Sequence, residues 1–127
     1  MTSQPLPPSP APASSPARAA LAQPRQASVQ CMGPHGLHRM AYTEWGDPDN
    51  PRVLVCVHGL TRNGRDFDDL ARALADDYRV VCPDVVGRGR SDWLQVKADY
   101  GFPVYVNDMV TLIARLDVEQ LHWVGTS

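Results

Sequence analysis

Val53-Leu54-Val55-Cys56-Val57-His58-Gly59-Leu60 is the stretch that decides the fold of this chain. Five apolar residues, mostly β-branched, are too few for a buried helix. They read as a strand covered on both faces, the signature of a parallel sheet. His58-Gly59 ends the run. Downstream, Tyr78-Arg79-Val80-Val81-Cys82 and Leu121-His122-Trp123-Val124 repeat the pattern, so three strands of one sheet are expected.

Helical segments separate them. Asn63 can cap a helix with Asp66 three residues on, a capping box with a shortened acid. Phe67, Leu70, Ala71 and Leu74 then form one apolar stripe. Pro103 suits the first turn of a second helix, whose stripe is Val106, Met109, Val110, Ile113 and Leu116. Strands alternating with amphipathic helices give an α/β fold with mostly parallel strands and right-handed crossovers. Upstream, Gly36 to Trp45 suggests an early strand or hairpin, and Gly46 to Pro51 a turn cluster.

The beginning of the chain differs in kind. Seven of the twelve prolines fall between Pro5 and Pro24, among Ala, Ser and Gln. Such a segment buries too little apolar surface to offset the entropy of ordering. Residues 1–31 are therefore expected to be a disordered tail, and residues 32–127 a partial core domain.

A chain of 127 residues and net charge -2 has no electrostatic footprint for nucleic acid or an anionic membrane. No apolar run approaches the roughly 18 residues of a membrane span. Three cysteines, Cys31, Cys56 and Cys82, make an odd count that argues against a disulfide framework and for a reducing, cytoplasmic setting. Cys31, His35 and His38 are spaced as metal ligands can be, but a closed zinc site needs four. They are expected to be scattered surface residues, with no metal and no cofactor.

In a parallel sheet, chemistry gathers where loops leave the carboxyl ends of strands. Three such ends are His58-Gly59-Leu60, Asp84-Val85-Val86-Gly87-Arg88-Gly89-Arg90-Ser91 and Gly125-Thr126-Ser127. Gly87-x-Gly89 alone could suggest dinucleotide binding, but Asp92 stands where the third glycine belongs. Taken in order, the three resemble the signatures of the α/β-hydrolase superfamily from about Leu37 to Ser127. They match its His-Gly oxyanion loop, its D-x-x-G-x-G-x-S loop, and the first three positions of its nucleophile elbow, G-x-S-x-G.

The resemblance implies a serine hydrolase acting on carboxylic esters or related acyl compounds through an acyl-enzyme. An acyltransferase, or a non-catalytic binding protein of the same fold, is the alternative. It implies Ser127 as nucleophile and Gly125 as the residue that keeps the elbow turn uncrowded. It further implies the backbone N–H of Leu60 as first oxyanion donor, with Gly59 letting the backbone approach substrate. The triad order Ser, acid, His places the base beyond Ser127. His58 is accordingly expected to brace its loop, and Asp84 to brace two loops, rather than transfer protons. Leu60, Thr61 and Trp93 are expected near the mouth of the site. The chain as written is expected to be an inert fragment, with its third strand at an exposed sheet edge.

Overall fold

A computed structural model describes residues 16–127, with side chains from residue 19. The elements are α1 (Pro16–Leu21), β1 (Arg25–Gly33), β2 (Gly36–Trp45), β3 (Val53–Val57), a 3-10 turn (Gly64–Phe67) running into α2 (Asp68–Leu74), β4 (Arg79–Pro83), α3 (Phe102–Leu116) and β5 (Leu121–Gly125). A second 3-10 turn, Lys97–Asp99, precedes α3.

The strands form one mixed sheet in the order β1-β2-β4-β3-β5. β3 lies parallel to both β4 and β5, while β2 runs antiparallel to β1 and β4. Two-residue periodicity sorts the side chains between the faces. Val53 and Val55 pack with Val81, Leu112 and Leu116 on the α3 side. Leu54 and Cys56 pack with Val80, Cys82, Phe67 and Ala71 on the α2 side. Each fully buried Val or Leu contributes about 1.5–3 kcal/mol relative to an exposed one. β5 ends the sheet order, and Trp123 on it is 48% exposed.

Three expectations change. The sheet starts at Arg25, inside the segment read as a tail. Val29 and Cys31 alternate inward along β1, opposite Met40 and His38 of β2. Leu21 packs against the α2-side core, and its carbonyl accepts from the Gly46 N–H at 3.1 Å. The first fifteen residues, read as the start of the tail, lie outside the described ones.

The α3 stripe is also redrawn. Val104, Asp108, Leu112 and Leu116 are the buried residues, while Val106 and Val110 are more than half exposed. This helix is apolar on two faces, and the one turned to the sheet carries an aspartate. At the 3-10 turn before α2, Asn63 Oδ1 caps by accepting from the Arg65 N–H at 2.9 Å, whereas Phe67 at the start of α2 itself makes no side-chain cap bond. Asp66 does not complete the box. Its carboxylate takes both Arg62 hydrogen bonds at 2.8 Å instead.

Candidate functional site

β3 and β5 are paired in parallel with Val57 opposite Gly125. Two residues further on, the same register sets Gly59 beside Ser127. The Thr126 N–H donates to the Val57 carbonyl at 3.1 Å, which holds the end of β5 against the end of β3. A Cβ on Gly59 would stand 3.0 Å from the Ser127 carbonyl carbon and 3.5 Å from its Cα. Any side chain at 59 would push the serine backbone away. A Cβ on Gly125 would meet the Val57 carbonyl oxygen at an ordinary 3.9 Å.

Buried polar side chains stitch the His58 loop to the Asp84 loop. The His58 ring is 5% exposed; its Nδ1 lies 2.7 Å from the Gly59 carbonyl, and its Nε2 accepts from the Val85 N–H at 2.9 Å. Those contacts define the Nδ1–H tautomer and occupy both ring nitrogens. Asp84, also buried, accepts from the Gly64 N–H at 2.7 Å and from the Arg90 N–H at 3.0 Å. Ser91 Oγ donates to the Asp84 carbonyl and accepts from the Ala41 N–H at 2.8 Å, fixing the same loop to β2. Gly89 adopts φ 53, and a Cβ there would collide with the Asp84 carboxyl group. Only glycine suits that turn.

Arg88 is the residue that motif reading passed over. Its Nε donates to the Leu60 carbonyl at 2.9 Å, and its Nη1 to the Val86 carbonyl at 2.8 Å and to Tyr105 Oη at 3.3 Å. The guanidinium also lies over the Tyr105 ring, 5.5 Å from its centroid. One side chain thus fixes the peptide after Leu60 and ties the loop to α3. Its position between Gly87 and Gly89 was the available signal, but a cation in a glycine loop reads as solvated.

A cavity of about 680 Å³ runs from Ser127 and Leu60 along the outer face of α3, past Tyr105, Val106 and Val110, to Trp123. Its lining is almost entirely apolar, with Arg88 as its only charged side chain. Trp93, expected at this mouth, lies elsewhere. It lines a separate cavity of about 300 Å³ under the β1–β2 turn, with His35, His38, Asp92 and Asp99. Thr61 does not line the Ser127 cavity either.

Near that second cavity, Cys31 and His38 depart from their expected surface positions. Both are buried, at 0% and 4% exposure, and face each other across the β1–β2 hairpin. Asp108 of α3 is 1% exposed, and its carboxylate oxygens stand 2.8 and 2.9 Å from His38 Nε2. Burial raises the Asp108 carboxyl, against the opposing pull of His38. Burial, then the nearby Asp108 charge, pushes the Cys31 thiol up to about 12. All three cysteines are free and buried. Among the described residues, no helix is long and apolar enough to cross a membrane.

Comparison with known proteins agrees with this architecture. A sequence model described as the alpha/beta hydrolase fold matches residues 52–127. A 3-hydroxybutyrate-oligomer hydrolase of Cupriavidus necator is 70% identical over 106 residues, which is 84% of this chain and 36% of that protein. The structure of an alpha/beta hydrolase from Novosphingobium aromaticivorans superposes with TM-score 0.68 at 39% identity, over 80% of this chain and 35% of that one. A thioesterase domain from the curacin biosynthetic pathway superposes with TM-score 0.70 at 29% identity, over 81% of this chain and 37% of that one. The chain thus spans about a third of the length of these relatives. With the matched residues covering β3 through Ser127, this chain belongs to the α/β-hydrolase family.

Proposed function

We propose that these residues form the nucleophile-bearing part of a serine hydrolase that cleaves carboxylic esters, with short hydroxy-acid oligomers as its substrate class. In this reading Ser127 Oγ attacks the ester carbonyl, and the leaving alkoxide departs as an alcohol once protonated. Water then releases the acid from the acyl-enzyme. The Leu60 N–H supplies one oxyanion donor, and Arg88 holds that peptide in place through its bond to the Leu60 carbonyl.

The observation that carries the reading is the contact of Gly59 with Ser127. An oxyanion donor must sit beside the nucleophile, and this pair puts the two loops within a Cβ's reach of each other. The substrate class is supported by the 70% identity to the 3-hydroxybutyrate-oligomer hydrolase. His58 is already committed at both nitrogens, so the base is another histidine; the order Ser, acid, His sets it after Ser127. The 127 residues by themselves are proposed to be inactive, and three free, buried cysteines support a reducing, cytoplasmic setting.

The test is hydrolysis of linear 3-hydroxybutyrate dimers and trimers by a chain extended to the length of the relatives. The reading expects turnover that vanishes in Ser127→Ala. Turnover of p-nitrophenyl esters with none of the oligomers would overturn the substrate class. Oligomer turnover that survives Ser127→Ala would overturn the nucleophile.

A further inference from the structure

Cys31, His38 and Asp108 come from three elements and meet in the core beneath the β1–β2 hairpin. Cys31 Sγ, a ring nitrogen of His38 and a carboxylate oxygen of Asp108 all lie within 4.8 Å of one another. Among the described residues, no other three such groups are gathered this closely. We propose that this triad is a binding site for a divalent cation of the zinc class, which clamps the β1–β2 hairpin to α3. The site is remote in sequence from Ser127, and the proposal does not rest on the esterase reading.

The ligand types fit, and three protein ligands leave the fourth position of a tetrahedral ion to a water. Zinc takes thiolate, imidazole and carboxylate at about 2.0–2.3 Å, so tetrahedral ligand atoms stand about 3.3–3.8 Å apart. His38 Nε2 and Asp108 are now slightly closer than that, at 2.8 Å, and share a proton. An ion enters by displacing that proton and the thiol proton, with side-chain rotation that opens the His38–Asp108 pair.

With the ion bound, dication, thiolate and carboxylate sum to zero, which suits a buried site.

His38 Nδ1 supplies a separate observation. It is buried, it has no hydrogen-bond partner, and its ring lines the cavity of about 300 Å³ under the hairpin turn. A cation on Nε2 would fix the proton on Nδ1, the ring nitrogen that has no other partner. His35, Asp92 and Asp99 line the same cavity, with Asp99 paired to His35 at 2.7 Å and Asp92 to Arg39 at 3.8 Å. A Cβ on Gly33 would stand 3.3 Å from Nδ1, so glycine keeps this side of the ring open.

The test is titration of the metal-stripped chain, extended to the length of the relatives, with Co²⁺, followed by near-ultraviolet absorption. The proposal expects a 1:1 complex with a thiolate-to-cobalt charge-transfer band, bleached by Zn²⁺, lost in Cys31→Ser and retained in Cys56→Ser. Absence of the band, or its persistence in Cys31→Ser, overturns the proposal and leaves a hydrogen-bonded core triad. A second measurement uses the unaltered chain and needs no variant to fold. Zn²⁺ should protect Cys31 from alkylation in mild denaturant more strongly than Cys56 or Cys82, as mapped by mass spectrometry. Equal protection of all three cysteines, or of none, overturns it.

Discussion

Gly59 and Ser127 stand side by side at the ends of two parallel strands, so close that a methyl group on Gly59 would press on the serine carbonyl carbon at 3.0 Å. The contact follows from the register of β3 against β5. It predicts that Gly59→Ala, in a chain extended to the length of the relatives, lowers kcat by about 10²–10³, the effect of misplacing one oxyanion donor. Circular dichroism should remain unchanged, since the strain falls on two loops outside the strands. Full activity in Gly59→Ala would show that the two loops do not cooperate.

Gly89 makes a structural prediction. Its φ of 53 and the collision of any Cβ with the Asp84 carboxyl group leave no room for alanine. Gly89→Ala should cost about 1–3 kcal/mol for the strained backbone alone. It should also release the Arg90 N–H from Asp84, now 3.0 Å away. Urea denaturation read by tryptophan fluorescence checks this, and an unchanged midpoint would count against the turn described here.

A third prediction concerns alkaline pH. The Cys31 thiol rises from its ordinary 9.0 to about 12, because burial and the nearby Asp108 disfavour the thiolate. A raised acid group favours the fold in its protonated form. Its contribution is complete below pH 9 and is lost as pH climbs toward about 12. The metal-stripped chain should lose stability across that window by an amount on the order of a few kcal/mol. Cys31→Ala should flatten the slope. Equal slopes in the two proteins, measured by urea midpoints along the pH series, would contradict the assignment.

The three parallel strands were legible because their runs are short, apolar and β-branched, and each ends in residues that cannot continue a strand. Motif order made the neighbouring loops legible as well. β1 was not, because its inward residues Val29 and Cys31 alternate with Ser28 and Gln30 and follow a proline-rich segment. Composition masked the period of two.

Asp108 was missed for a different reason. A carboxylate within a helix reads as solvent-facing, and only the fold brings it against His38, seventy positions away. Arg88 was likewise hidden, since its value lies in a bond to the Leu60 carbonyl that no local pattern encodes. Val106 and Val110 misled because α3 has two apolar faces, and periodicity does not say which one meets the sheet.

The most direct measurement of the central claim is covalent labelling of Ser127 by a fluorophosphonate in a chain extended to the length of the relatives. The probe phosphonylates an activated serine hydroxyl and expels fluoride. The account predicts a single adduct, mapped by mass spectrometry to Ser127 and absent from Ser127→Ala. An adduct on another residue, or labelling that persists in Ser127→Ala, would contradict it.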